Sequence, residues 1–177
     1  MRIGIAGVGG IGSNVACMLV RSGLPFLKII DFDVVDEGNL NRQFYFADQV
    51  GMQKVTALSE NLRRINAQVE LAAISARLHP ENIVTLFVDC QLVVEGFDRQ
   101  EEKKMLLESL GASKKIVSAC GIAGADLHNI HERRIANCQI VGDFQTDCAD
   151  APLFAHKVMA IAAQMSALVI EQWRNDR

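Results

Sequence analysis

Arg2-Ile-Gly-Ile-Ala-Gly-Val-Gly-Gly-Ile-Gly12 is the stretch that decides the fold, together with the residues that follow it up to Arg21. Its first five residues predict a short strand, and the apolar spacing over 13–21 predicts a helix. Between them, glycines let the backbone come close to a phosphate, and the helix N-terminus supplies free N–H groups with a partial positive charge. This order predicts the phosphate-binding turn of a dinucleotide fold, whose glycines are Gly7, Gly9, Gly10 and Gly12.

A second predicted strand, Leu27 to Ile30, leads into a loop that is rich in polar side chains. Asp31 lies nineteen residues beyond Gly12, the spacing at which a dinucleotide fold places its ribose-binding carboxylate. An open parallel sheet binds ligands where its strands end, so this loop is predicted to lie at a ligand site. Its carboxylates suit ribose hydroxyls, its amides suit ligand orientation and its cations suit phosphates. These side chains are Asp31, Asp33, Asn39, Arg42, Gln43 and Lys54.

The rest of the chain alternates between predicted helices and predicted strands. Helices are expected over 48–65, 79–87, 99–110 and 153–173, and strands over 69–74, 92–94 and 115–120. Alternation within 126–135 and over 139–141 predicts an antiparallel pair that closes the sheet. We therefore expect an α/β fold with a doubly wound, mostly parallel, Rossmann-like sheet and an antiparallel extension near the C-terminal end. The 177 residues are expected to form a single nucleotide-binding domain.

The composition argues against several functional classes. The net charge of −3 disfavours a nucleic-acid binder, which would show a clustered basic excess. No segment approaches the roughly 18 consecutive apolar residues of a membrane span, and the N-terminus lacks a signal-peptide layout, so we expect a cytoplasmic protein. The five cysteines form no Cys-x-x-Cys pair, so neither a disulfide framework nor a zinc site is expected.

Two nucleotide ligands remain open from the residues alone. The glycine turn with Asp31 is compatible with NAD in an oxidoreductase. Against it, Arg42 and Lys54 follow the same strand, whereas a dinucleotide pyrophosphate needs few cations beyond the glycine turn. We also expect no second domain that would supply a hydride acceptor. Both features favour a triphosphate with a metal ion.

Three single residues also carry alternative interpretations. Asp98, at the tip of the fourth predicted strand, is a candidate metal ligand or the N-cap of the helix that begins at Arg99. Lys54 is a phosphate ligand or a surface lysine on an amphipathic helix. Cys148 lies in a polar loop, where it is a candidate nucleophile or incidental.

An ordered set of motifs resembles the ThiF/HesA/MoeB family, the adenylation domains related to ubiquitin-activating enzymes. The set comprises Gly-x-Gly-Gly-x-Gly from Gly7, Asp31-x-Asp33-x-Val35, Asn39-Leu-Asn-Arg42-Gln43 and Gly51-x-x-Lys54. The Asn-Leu-x-Arg-Gln run is highly specific to that family. Residues 118–124 and 141–143 further resemble the short ThiF proteins of the thiamine pathway.

The resemblance implies an adenylyltransferase that uses ATP and Mg²⁺. Carried over by motif, the four glycines cradle ATP, Asp31 binds its ribose, and Asp33 and Gln43 belong to the same site. Asn39, Arg42 and Lys54 contact phosphates, and Asp98 helps to hold Mg²⁺. The implied partner is a small ubiquitin-fold sulfur carrier that ends in Gly-Gly, in a pathway to thiamine thiazole or a related product. A homodimer is also implied.

Departures from the family pattern keep alternatives open. Longer members carry a helix with a phosphate-binding arginine before the first strand, and that cation is expected to be missing here or to come from elsewhere. Gln53 stands where relatives commonly have proline, and Arg99 replaces an asparagine. A catalytically weakened nucleotide-binding protein is therefore one alternative. Within the family, adenylation of a small molecule or an RNA base is another, and the acidic charge balance weighs against RNA.

Overall fold

The computed structural model describes residues 1–176, which form seven strands and five α-helices. The first half contains β1 (Ile3–Ala6), α1 (Gly10–Arg21), β2 (Phe26–Asp31), α2 (Lys54–Ile65), β3 (Glu70–Ser75) and α3 (Pro80–Leu86). The second half contains β4 (Leu92–Glu95), α4 (Gln100–Leu110), β5 (Lys115–Ala119), β6 (His131–Ile135), β7 (Cys138–Gly142) and α5 (Ala155–Asn175). Short 3₁₀ turns at Glu37–Asn39 and Ala47–Gln49 interrupt the long loop between β2 and α2.

All seven strands form one sheet in the order β3-β2-β1-β4-β5-β7-β6. Every neighbouring pair is parallel except β6 with β7, which is antiparallel. The predicted fold class is therefore confirmed, including the antiparallel extension. The strand order reverses between β1 and β4, where Ala6 lies beside Glu95 in the register. In an open α/β sheet, the ends of two such strands form the crevice in which ligands bind.

Helices cover both faces of the sheet, which explains why the central strands are continuously apolar. One hydrophobic core joins the sheet to α1, α2 and α5, and a second joins it to α3 and α4. The four residues of β1 are buried, as are the four of β4. These two strands therefore form a fixed platform under the crevice.

Several predicted boundaries differ from the structure. The helix predicted from Asp48 begins at Lys54, because 47–49 form a separate turn and Gly51 adopts a φ of +87°. The backbone of the intervening loop instead bonds to Val35, which donates to the Met52 carbonyl at 2.8 Å. The strand expected within 126–135 is confined to β6. Across residues 1–176, none of the helices has the length and apolar character that a bilayer span needs.

Candidate functional site

A cavity of about 280 Å³ lies at the carboxyl ends of the central strands, between β1, β2 and β4. It is lined by all but one of the residues that the sequence assigns to nucleotide or metal binding: Gly7, Gly9, Gly10, Asp31, Asp33, Asn39, Arg42, Gln43, Lys54 and Asp98. The exception is Gly12. Residues more than ninety positions apart in the sequence thus meet around one space. The ends of β3 and α5 complete the walls.

The glycine turn owes its shape to close backbone contacts. Gly7 has a φ of +83°, a conformation that favours glycine. A Cβ on Gly12 would lie 1.9 Å from the Gly7 carbonyl oxygen, and one on Gly96 would lie 2.5 Å from the same atom. Gly12 therefore permits the helix and the turn to pack, whereas Gly9 and Gly10 face the cavity at the N-terminus of α1.

Tyr45 holds the glycine turn from the side, a role that the sequence did not reveal. Its hydroxyl donates to the Val8 carbonyl at 2.7 Å, and the Val8 N–H donates to the Asp31 carboxylate, also at 2.7 Å. Burial, and next the charges of Asp31 and Asp33, raise the pKa of Tyr45 well above its usual value, so the phenol stays protonated and remains a donor. Both backbone groups of Val8 are thus fixed by long-range contacts.

Tyr45→Phe is expected to destabilise the fold by about 1–3 kcal/mol, because it leaves the buried Val8 carbonyl without its donor. Urea unfolding followed by circular dichroism measures this loss. Ser22→Ala is the matched control, because it removes an exposed hydroxyl that donates to the Met18 carbonyl at 2.8 Å. We expect that change to stay within about 0.5 kcal/mol. Equal effects of the two substitutions would contradict the role of Tyr45.

The two carboxylates at the end of β2 differ in burial and in their partners. Asp31 is 8% exposed, and its second oxygen accepts the Asp33 N–H at 2.8 Å, so the side chain is rigidly held at the cavity wall. Asp33 is more exposed and pairs with the Lys54 Nζ at 3.0 Å. Lys54 itself is only 6% exposed. The alternative interpretation of Lys54 as a surface lysine is therefore wrong: it is a buried cation at the cavity.

Arg42 is held close to the N-terminus of α1. Its Nη2 donates to the Asn39 side chain at 3.0 Å, and its own carbonyl accepts from Asn14 at 2.8 Å. Among the described residues, its guanidinium hydrogen-bonds only to neutral oxygens, of Gly38, Asn39 and Asn41. No carboxylate within that part of the chain neutralises it, so its charge is available to an anionic ligand.

Gln43 carries an unsatisfied buried acceptor in the cavity wall. Its side-chain Oε1 is buried without a hydrogen-bond partner among the described residues. Buried polar atoms are normally paired with protein, water or ligand. The atom is therefore suited to accept a hydrogen bond from a ligand hydroxyl or an ordered water.

A pair of carboxylates lies on the opposite side of the cavity. Asp98 is exposed there and does not cap α4, whose N-cap residue is Arg99 and has no side-chain capping bond. The capping interpretation of Asp98 is thus wrong. Glu102, four residues later, also lines the cavity and was missed by the sequence. Burial, and next the charge of Asp98, raise the pKa of Glu102. The spacing of four residues across the start of a helix was the available signal for this pair.

The loop that carries Asp98 is supported by an ion pair between a buried carboxylate and a partly exposed lysine. Glu95, at the end of β4, is fully buried and accepts from Lys103 at 2.8 Å and from Ser118 at 2.6 Å. It also accepts the Phe97 N–H at 2.7 Å, which fixes the turn leading to Asp98. Both carboxylate oxygens accept hydrogen bonds from these protein groups, so Glu95 positions the turn and does not face a ligand.

Cys148 lines the cavity from the loop before α5. The residue is exposed, but the loss of part of its hydration, and next the charge of Asp147, raise the pKa of its thiol, although Lys103 and Arg42 oppose the shift. A raised pKa keeps the sulfur protonated, which lowers its reactivity at neutral pH. Its role as a nucleophile stays a prediction.

Solved structures share this fold at low sequence identity. The AMP complex of the tRNA N6-threonylcarbamoyladenosine dehydratase TcdA of E. coli superposes with a TM-score of 0.88 at 17% identity, over 99% of this chain and 86% of that chain. HcgE from Methanothermobacter marburgensis, bound to guanylylpyridinol and ATP, has a TM-score of 0.82 at 16% identity, over 99% and 96% of the two chains. At this level of identity, the likeness concerns the fold.

Sequence comparison identifies the family. The adenylyltransferase and sulfurtransferase UBA4 of Candida glabrata is 31% identical over 123 residues, which are 68% of this chain and 28% of the relative. The ubiquitin-like modifier-activating enzyme 5 of Drosophila melanogaster is 41% identical over 97 residues, 55% of this chain and 21% of the relative. The chain thus spans less than a third of the length of these relatives. The sequence profile of the ThiF family matches residues 1–170, and the chain belongs to that family.

Proposed function

We propose that the protein is an adenylyltransferase that uses ATP to activate the C-terminal carboxylate of a small ubiquitin-fold carrier protein. One observation carries the proposal: a phosphate-binding glycine turn, a ribose-type carboxylate and two cations line a single cavity. The relatives whose names describe adenylyltransferases or modifier-activating enzymes support the same activity. The structural neighbours bound to AMP or ATP support the choice of nucleotide.

ATP would lie at the carboxyl ends of β1 and β4, where the strand order of the sheet reverses. Asp31 keeps lone pairs beyond the two backbone bonds that it accepts, and these would receive ribose hydroxyls. The N–H groups at the start of α1 would bind phosphate, since the helix dipole favours negative charge there. Arg42 and Lys54 would balance the remaining charge, with Asn39 orienting the guanidinium. This assignment leaves the buried Gln43 acceptor for a hydroxyl or water near the turn.

The chemistry fits a site without a general base. A C-terminal carboxylate is ionised at neutral pH, so it can attack the α-phosphate directly. The reaction then needs alignment of the two reactants and stabilisation of the departing pyrophosphate. Arg42 and Lys54 would supply the stabilising charge. No histidine within residues 1–176 lines the cavity, which agrees with that requirement.

The carboxylates on the far wall fit a magnesium ion. Mg²⁺ prefers oxygen ligands and is usually held by one or two carboxylates together with substrate phosphates. Asp98 makes no hydrogen bond or ion pair to another described side chain, and Glu102 is near enough for the charge of Asp98 to contribute, after burial, to raising its pKa. These two residues would hold the ion, which would neutralise phosphate charge during transfer. The assignment of Asp98 therefore extends to Glu102.

The carrier is proposed to end in Gly-Gly and to deliver sulfur, in thiamine thiazole synthesis or a related pathway. The sulfurtransferase in the name of the UBA4 relative supports a sulfur carrier, whereas the modifier-activating relatives support a ubiquitin-like protein more generally. Both kinds of partner present the same chemical group, a flexible C-terminal glycine carboxylate. A homodimer is part of the same proposal.

Calorimetric titration tests the nucleotide assignment first. We expect ATP to bind in the presence of Mg²⁺ and NAD⁺ to bind at least about tenfold more weakly, because Arg42 and Lys54 favour the additional phosphate charge. Arg42→Ala should weaken ATP binding, and Arg21→Ala, at the far end of α1, should leave it unchanged. Tighter binding of NAD⁺ than of ATP would contradict the proposal and favour the oxidoreductase alternative.

A further inference from the structure

A buried ion pair joins α5 to two loops beside the cavity. Lys157, on α5, is 1% exposed, and its Nζ donates to the Asp143 carboxylate at 2.6 Å and to the Ala123 carbonyl at 2.5 Å. Asp143 also accepts from the Thr146 hydroxyl at 2.9 Å. We call Lys157, Asp143, Ala123 and Thr146 the α5 clamp. It connects the loop after β5, the loop after β7 and the first turn of α5.

The ion pair of the clamp is buried and held by several hydrogen bonds. Burial alone would raise the pKa of Asp143, but hydrogen bonds from Lys157 and from the backbone and hydroxyl of Thr146 hold it well below its usual range. The loops it joins are also in close contact, because a Cβ on Gly142 would lie 1.7 Å from the Cys120 carbonyl oxygen. A buried ion pair that is held by several hydrogen bonds in a tightly packed place fixes the geometry of the segments that carry it.

The segments that the clamp joins also carry one wall of the cavity. Ile122 lies next to Ala123, Val158 lies next to Lys157, and Cys148 and Leu153 lie on the loop between Asp143 and α5. Val158 also packs on the glycine turn, with its Cγ1 3.3 Å from the position of a Cβ on Gly10. These four side chains are uncharged, whereas the ribose and phosphate side of the cavity carries Asp31, Arg42 and Lys54. We call them the neutral wall.

We propose that Lys157 and Asp143 are positioning residues that hold the neutral wall in place for the glycine tail of the carboxylate substrate. The inference rests on the proposed function, because it names the side of that same cavity at which the second substrate lies. The charged side is taken up by the nucleotide, so an uncharged, extended tail has the neutral wall to lie against. Its carboxylate would then approach the phosphate end beside Gly10.

The proposal predicts different effects of the clamp variants on the carrier and on ATP. If the clamp positions the tail, Lys157→Met and Asp143→Asn should lower kcat/KM for the carrier by about tenfold to a hundredfold in ATP–pyrophosphate exchange, because small misplacements of reactants cost that much. The Kd for ATP should change by less than about twofold, since none of the nucleotide ligands changes. Thr146→Val removes the hydroxyl bond to Asp143 and keeps the ion pair, so this variant should fold even if the other two do not. It should show a smaller decrease in kcat/KM for the carrier, again without a change in the Kd for ATP.

Lys28→Met is the matched control. Lys28 is a second buried lysine; it lies in β2, away from the cavity, where it pairs with Asp89 and donates to the Leu86 carbonyl at 2.9 Å. Its loss should lower the melting temperature, as the loss of Lys157 should, without changing kcat/KM for the carrier. Equal effects on the carrier from Lys28→Met and the clamp variants would overturn the proposal, as would an equal loss of ATP affinity in the clamp variants. Wild-type protein without carrier-dependent exchange would instead overturn the proposed function, and the inference with it.

Discussion

Lys54→Met is expected to lower carrier-dependent ATP–pyrophosphate exchange by about a hundredfold or more, because it removes a buried charge that would stabilise the departing pyrophosphate. Lys54 is 6% exposed and its Nζ reaches the cavity, paired with Asp33. Methionine keeps the aliphatic packing of the lysine stem. Asp33 is the more exposed partner and remains solvated, so the fold should persist. Exchange measured with labelled pyrophosphate at saturating ATP and carrier gives the size of the effect.

Lys104→Met serves as the control for charge alone. Lys104 lies on the outer face of α4, where it forms an exposed pair with Glu108 at 3.7 Å. Removing it changes the net charge by the same amount without touching the cavity. Exchange by the Lys104 variant should match the wild type. A Lys54 variant that retains full exchange would remove Lys54 from the phosphate site.

Gly12→Ala is expected to destabilise the fold by roughly 3 kcal/mol, because no side chain fits between α1 and the glycine turn. The added Cβ would lie 1.9 Å from the Gly7 carbonyl oxygen and 3.1 Å from the Ile5 side chain. Relief requires a shift of backbone in the centre of the sheet, where β1 is fully buried. Denaturant unfolding measures the loss, and a weakened ATP affinity should accompany it.

Gly9→Ala provides the contrast within the same turn. A Cβ on Gly9 would meet only the Gln43 side chain, at 3.7 Å, so the fold should lose less than about 1 kcal/mol. Because Gly9 lines the cavity, this variant should affect nucleotide binding more than stability. If Gly12→Ala proved as stable as Gly9→Ala, the close packing of helix on turn would not be needed for the fold.

The fold was predictable because its main signals are local. The glycine turn and the alternation of apolar runs with helical spacing identify the doubly wound sheet without tertiary information. The start of α2 was not predictable, because the backbone of Gly51 and Met52 bonds to Val35 and the helix begins only at Lys54, although the preceding residues have reasonable helix propensity. Such boundaries depend on contacts that a sequence pattern does not contain.

The residues of the candidate site likewise fall into those indicated by local sequence patterns and those revealed only by tertiary contacts. Residues in the ordered motifs, from Gly7 to Lys54, could be predicted to lie together, because their types and spacing follow a nucleotide-binding pattern, and all of those assigned except Gly12 line the cavity. Tyr45 could not, since its partner Val8 lies 37 residues away. Lys157 was hidden for a related reason: it stands in an Ala- and Met-rich helix, and only the structure brings Asp143 to it. Glu102 was accessible in principle, through its spacing from Asp98.

ATP–pyrophosphate exchange in the presence of Mg²⁺, with and without a ubiquitin-fold carrier ending in Gly-Gly, tests the central claim most directly. The proposed adenylyltransferase predicts exchange that depends on both Mg²⁺ and the carrier, and that disappears when the terminal glycine is deleted from the carrier. ATP binding without exchange for every such carrier would contradict the claim, and would favour a protein that binds nucleotide without adenylating a carrier.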